Sequence, residues 1–108
     1  MDIFSFCQKM QLEVVAEAGR LDVSGIFCSD LVSWILAHAR AGDALCSVNV
    51  NENMLAAAKK LNLSCVIACH GSPCEHLQKT AAAREIWLLR SYEPMAELAK
   101  KALEILNK

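Results

Sequence analysis

"SCVIACHGSPCEHLQKTAAAREIWLL", residues 64–89, is the stretch whose reading decides the fold. It opens on a near-continuous apolar run, Cys65-Val66-Ile67-Ala68-Cys69, turns through Gly71-Ser72-Pro73, and continues as a helical segment from Cys74 to Arg84. A second apolar run, Ile86 to Leu89, closes it. A strand that is apolar on both sides suits a sheet covered on both faces. The helix between two such strands is the crossover that parallel pairing requires, because a short loop cannot return the chain to the end where the strand began.

The same rhythm extends outward. Towards the N-terminus, Val23 to Cys28 reads as a strand and Leu31 to Arg40 as a helix, followed by a strand from Ala44 to Val48 and a helix from Glu52 to Leu61. Before them, Asp2 to Met10 reads as a short helix and Glu13 to Ala16 as a brief strand ahead of a Gly19-Arg20 turn. After Leu89 a last helix runs from Met95 to Leu106. The expected architecture is α/β, with about four mainly parallel strands alternating with helices, in one domain spanning residues 1–108. A chain of 108 residues, 55% hydrophobic and 21% charged, has room for one core and no second one.

Two helices differ in how they should pack. In the last one, Met95, Leu98, Ala102, Ile105 and Leu106 form a single apolar stripe, with Glu97–Lys101 and Glu104–Lys108 as outer i,i+4 pairs. In the helix from Leu31, apolar residues surround the axis and leave only Ser33, His38 and Arg40 as polar breaks. Such a helix wants a partner besides its own sheet. We expect a homodimer with Trp34 near the contact, or else cover from the first or last helix.

Composition excludes several functions. The net charge is −1 with both signs interspersed, so nothing resembles the basic patch that drives nucleic-acid binding. No apolar run is long enough to span a bilayer, and the start, Met1 to Cys7, has no charged leader; no membrane partner and a cytoplasmic location are expected. The six cysteines lie largely in strand-like runs and are expected to be reduced and buried as small hydrophobes.

The concentration of Cys69, His70, Cys74 and His76 invites a metal reading. Cys69 and His70 are adjacent in an extended segment and so point to opposite sides, while Cys74 and His76 are two apart on a helix and share no face. No Cys-x-x-Cys pair supports them, so neither metal nor cofactor is expected. Ser72-Pro73-Cys74-Glu75 instead satisfies a capping box with proline at the first helical position and Gly71 easing the turn. Cys74, at a helix N-terminus, is the one candidate for a reactive redox thiol. His38, in a last helical turn, suits the helix dipole.

Parallel sheets gather ligands at their strand carboxyl ends, where helix N-termini offer free amides. Four junctions fall there: Ser29-Asp30, Asn49 to Asn53, His70 to Cys74, and Ser91 to Pro94. Ser29, Asp30, Asn51, Asn53, Gly71 and Ser72 are the candidate ligand-binding residues. Against them stands ordinary N-capping by Ser29, Asn51, Ser72 and Ser91, with Asp30 and Glu52 meeting helix dipoles. No glycine-rich nucleotide fingerprint, phosphate-binding Gly-Lys-Ser/Thr loop or nucleophile elbow occurs, and no catalytic residue is assigned.

Asp22-Val23-Ser24-Gly25-Ile26, followed by "SDLVSWILAHARAGD", "VNVNENMLAAAKKLNLSCVIACHG" and "AREIWLLRS", resembles the DRTGG domain family over nearly the whole chain. The resemblance implies a regulatory module, found alone or attached to enzymes such as pyrophosphatases, where it accompanies cystathionine-β-synthase (CBS) type domains that bind adenine nucleotides. By it, Asp22, Ser24, Gly25, Asp30 and Asn53 occupy the family's characteristic positions. The motif's arginine is Val23 here and its second glycine Ile26, which removes the natural bidentate partner of a phosphate. The expected function is non-catalytic sensing of an adenine nucleotide or other small anion at the strand carboxyl ends. The alternatives are a dimeric protein-interaction module and a thiol redox protein using Cys74.

Overall fold

The computed structural model describes residues 1–107. Ten elements follow in order: α1 (Ile3–Met10), β1 (Glu13–Ala16), β2 (Gly25–Cys28), α2 (Val32–His38), β3 (Asp43–Ser47), α3 (Glu52–Leu61), β4 (Cys65–Ala68), α4 (Glu75–Ala83), β5 (Leu88–Arg90) and α5 (Met95–Leu106). The strands form one sheet in the order β1-β5-β4-β3-β2. β2 to β5 are parallel, as the alternation predicts. β1 adds a fifth strand, antiparallel to β5.

The winding explains where the helices lie. β2, β3, β4 and β5 are neighbours in chain order, so every crossover steps the same way. Crossovers of one hand stepping in one direction put their helices on one face. α2, α3 and α4 accordingly share a core with Leu45, Val66 and Leu88, built on Ile35, Met54, Leu55, Ala58 and Ala81. The alternate strand residues Cys46, Ile67 and Leu89 face the other way, onto Ile3, Phe6 and Met10 of α1 and Leu98 and Ala102 of α5. The two-residue period thus divides each apolar strand between two cores, which is why these strands read as continuous hydrophobic runs.

β1 and β2 occupy opposite edges, and the chain between them crosses the amino ends of the strands. Asp2 and Asp22 form an antiparallel bridge there, Val23 is fully buried, and the Trp87 indole donates to the Gly19 carbonyl at 2.9 Å. Asp2 caps α1 by accepting from Ser5 N at 3.0 Å.

Two packing expectations change: the cover of α2 and the Glu97–Lys101 pair. α2 buries only Ile35 and is covered by neither α1 nor α5, both of which lie across the sheet; it leans on α3. Leu31, Trp34 and Leu36 are 61%, 54% and 42% exposed. The α5 stripe packs as expected, Leu98 and Ala102 fully buried, but Lys101 pairs with Glu93 at 3.0 Å instead of Glu97. The Glu104–Lys108 pair lies outside the described residues.

Candidate functional site

The carboxyl ends of β2 to β5 form one rim, and the predicted residues divide along it. At the β2–β3 end, Ser29 Oγ accepts from Leu31 N at 3.1 Å, making a local turn; α2 itself begins after Leu31, which offers no side-chain cap. Asp30 does not meet a helix dipole. Its Oδ1 accepts from Ser47 Oγ at 2.6 Å and Val48 N at 2.9 Å, so the carboxylate ties the end of β2 to the end of β3. Asn51 is a true N-cap, its Oδ1 accepting from Met54 N at 3.0 Å. Asn53 leaves the rim altogether and lines a groove between α2 and α3 with Val32, Leu36, Ala57 and Lys60.

At the β4–β5 end the capping box of Ser72 does not form. α4 starts only at Glu75, with Cys74 in extended backbone at the cap position and no side-chain cap bond. Ser72 Oγ accepts instead from Arg90 Nη1 at 2.6 Å. Gln78 Nε2 reaches back to the Pro73 carbonyl at 2.9 Å, and Glu75 pairs with Lys79 at 3.2 Å rather than with a cap. Gly71 does make the turn, at φ +70, where a side chain would be strained. Ser91 likewise caps no helix; its Oγ accepts from Glu93 N at 3.1 Å while α5 starts after Pro94. Of four serines and asparagines read as N-caps, Asn51 alone is one.

Cys69 is buried and His70 exposed, as the strand geometry requires. Cys74 is exposed, and His76 Nε2 lies 3.5 Å from Glu52 Oε2. Among the described residues no group of three or more His, Cys, Asp or Glu side chains could hold a metal ion.

The family-motif residues stand at the opposite end of β2. Ser24 N bonds the Gly42 carbonyl at 3.0 Å, and Gly42, at φ +89, has no room for a Cβ against Ser24 Oγ. A Cβ on Gly25 would lie 2.5 Å from Asp43 Oδ1. Asp22, Ser24 and Gly25 therefore shape the entry to β2 and sit a strand's length from the rim.

Two rim residues were not singled out in the sequence: Arg90, which precedes the Ser91–Pro94 junction, and Tyr92, which lies within it. Arg90 ends β5, and its guanidinium lies 4.4 Å from the Tyr92 ring centroid while one Nη holds Ser72. Its Nε is buried and has no partner. Tyr92 is 67% exposed and donates its hydroxyl to Glu13 Oε1 at 2.8 Å, a bond to a carboxylate that raises the phenol's pKa above its usual range. Beside them a cleft of about 280 Å³ is lined by Asn49, Val50, His70, Ser72, Pro73 and Cys74. An arginine just after "WLL" marks a strand end, but nothing local says that it turns towards Ser72.

No family model matches the chain, and no curated protein matches it significantly. Among solved structures it is similar to a crystal structure of the CBS and DRTGG domains of the regulatory region of Clostridium perfringens pyrophosphatase, complexed with its activator diadenosine tetraphosphate. The TM-score is 0.70 at 10% sequence identity, over 94% of this chain and 45% of that one. The likeness is one of fold, and the chain spans less than half of its neighbour's length.

Proposed function

We propose that the protein is a non-catalytic regulatory domain of the DRTGG type that senses a small anionic ligand, an adenine nucleotide foremost, at the β4–β5 half of its rim. The observation that carries this reading is Arg90: a guanidinium held against the Tyr92 ring and bonded to Ser72, which itself lines an open polar cleft. It is a guanidinium of this chain's own, at the opposite end of the sheet from the motif position that Val23 occupies. The Tyr92 ring offers a stacking surface for a base or a second face for the cation. Asp30 repels anions from the β2–β3 half and Asn53 is off the rim, so of the six residues singled out in the sequence Gly71 and Ser72 remain ligand candidates. Ser29, Asp30 and Asn51 hold loops. The regulatory character of the fold neighbour, crystallised with a nucleotide activator, agrees with this assignment.

A second reading concerns α2, whose exposed Leu31, Trp34 and Leu36 favour a homodimer or a protein partner. It coexists with the first, since α2 and Arg90 lie on different parts of the molecule. A cytoplasmic location accords with six unpaired cysteines. No helix of the described residues is long and apolar enough to cross a membrane.

Thermal shift with ATP, diadenosine tetraphosphate and inorganic phosphate tests the sensing reading. A ligand at about a hundred times its dissociation constant stabilises by about 2.7 kcal/mol, a rise of ~10 °C or more in a domain of this size. The shift should vanish in Arg90→Ala and be weakened in Arg90→Lys, which keeps the charge but not the fork. No shift in the wild-type protein with any of the three overturns the reading.

A further inference from the structure

The three cysteines Cys28, Cys46 and Cys69 are far apart in the chain, and the sheet brings them into one row. Cys28 and Cys46 are register partners on the adjacent parallel strands β2 and β3, so their side chains leave the same face. Cys69 follows the end of β4, its amide bonded to the Ser47 carbonyl at 2.9 Å, on the same core face. The Cys46 thiol is fully buried on the strand between the other two. Its one proton has the Cys28 sulfur on one side and the Cys69 sulfur on the other, and Cys69 Sγ is itself turned to the Ile67 carbonyl at 3.8 Å. The exposed end of the row is Cys28, on an edge strand. A row of this kind cannot surround a metal ion, but it places an accessible thiol directly against a buried one.

We infer that Cys28 and Cys46 form a reversible oxidation site, in which Cys28 is attacked by a hydroperoxide and Cys46 resolves the product as a cross-strand disulfide. Neighbouring strands lie about 4.8 Å apart, inside the Cα separation of about 4.4–6.8 Å that a disulfide accepts. β2 has no neighbour on its outer side, so it is free to close the remaining gap. The accessible thiol is also the acidic one: the bond from Cys46 lowers Cys28 to about 7, against the opposing effects of partial burial and the nearby Asp30 carboxylate. Donating that bond, together with burial, holds Cys46 protonated with a pKa well above the usual thiol range.

The chemistry balances with hydrogen peroxide as the oxidant. The Cys28 thiolate attacks one peroxide oxygen, the O–O bond breaks, and the departing hydroxide takes up the proton Cys28 had released, leaving a sulfenic acid and water. The Cys46 sulfur then attacks the Cys28 sulfur; the S–O bond breaks and hydroxide leaves with the Cys46 proton as a second water. Two thiols lose two electrons and the peroxide is reduced to two waters. A dithiol reverses the step by exchange. Cys74, the thiol singled out by its helix N-terminus, stands at the cap position of α4 outside this row and takes no part.

Peptide mapping under non-reducing conditions, after treatment with stoichiometric hydrogen peroxide, tests the site. The wild-type protein should lose two of its six thiols and yield a Cys28–Cys46 cross-linked peptide that dithiothreitol dissolves. In Cys46→Ser the cross-link should be absent and Cys28 should be captured by dimedone as the sulfenic acid. A Cys28–Cys69 bridge, an intermolecular Cys28–Cys28 bridge, or six intact thiols in the folded wild-type protein overturns the inference. The wild-type map decides the matter by itself should the variant not fold.

Discussion

Ser72 shows how a local rule can be satisfied in sequence and unused in space. Its spacing from Glu75 is that of a capping box, yet the hydroxyl is engaged by Arg90 and the helix starts three residues later. Which residue caps a helix depends on where the preceding loop finishes, and that is set by the distance the chain must cover from the end of β4. Asp2 is the opposite case: read as the first residue of its helix, it is in fact the cap. It accepts from both the amide and the hydroxyl of Ser5, and these bonds lower its pKa below the usual carboxylate value. A carboxyl whose folded pKa is depressed contributes stability that is present above its unfolded pKa of about 3.9 and disappears as pH falls through the lower, folded one. The melting temperature of Asp2→Ala should therefore fall below wild type at pH 7, and the gap should narrow through the acid range below pH 4. Asp2→Asn, which caps as well as Asp but does not titrate, should sit near wild type at neutral pH and lack that acid-side change. Melting curves of the three proteins between pH 2 and 7 provide the check.

Element identity was the most legible level. Two helices, α3 and α5, begin and end where the sequence reading put them, at Glu52 and Leu61 and at Met95 and Leu106. The strands were legible because parallel, doubly covered strands are apolar throughout. What periodicity could not supply was the pairing of β1, whose four residues fit either edge until the 17–24 crossing is drawn. Nor could it show that Cys28, Cys46 and Cys69 meet, since only register brings residues so distant in sequence together. α2 misled for a related reason: its apolar residues on several faces do not tell which one meets the sheet. The structure chooses Ile35, which is fully buried among α3 residues and Leu45. Replacing Ile35 by alanine removes three methyl-sized groups from a closed core and should destabilise by about 2–5 kcal/mol. Trp34→Ala, at a 54% exposed position, should change monomer stability by no more than about 0.5 kcal/mol. Urea denaturation of both variants at low protein concentration separates the two, and equal losses would mean that Trp34 is buried by something in solution.

At the scale of the molecule, winding in one direction has two consequences. Strand order never reverses within the parallel part, so there is no switch-point crevice of the kind that holds dinucleotides in doubly wound sheets, and any ligand must use an open rim. The first turn of the winding also leaves its own strand and helix at a boundary: β2 is an edge, and α2 is packed only on the α3 side. Unpaired strand groups and an apolar helix face on one border of a small domain are the two features that self-association removes together. Leu31, Trp34 and Leu36 supply the apolar part, with the Trp34 ring 4.0 Å from that of His38. Dimerisation through this border would explain why a helix contributing a single buried residue carries so much apolar surface. Sedimentation equilibrium should then show a dimer for the wild-type protein at micromolar concentration and a monomer for Trp34→Glu, with the circular dichroism of the two unchanged. Because Arg90 lies at the far side of β4 from this border, the variant should keep any nucleotide-induced thermal shift. A wild-type monomer at tens of micromolar would remove the dimer while leaving the rim and its guanidinium as they are.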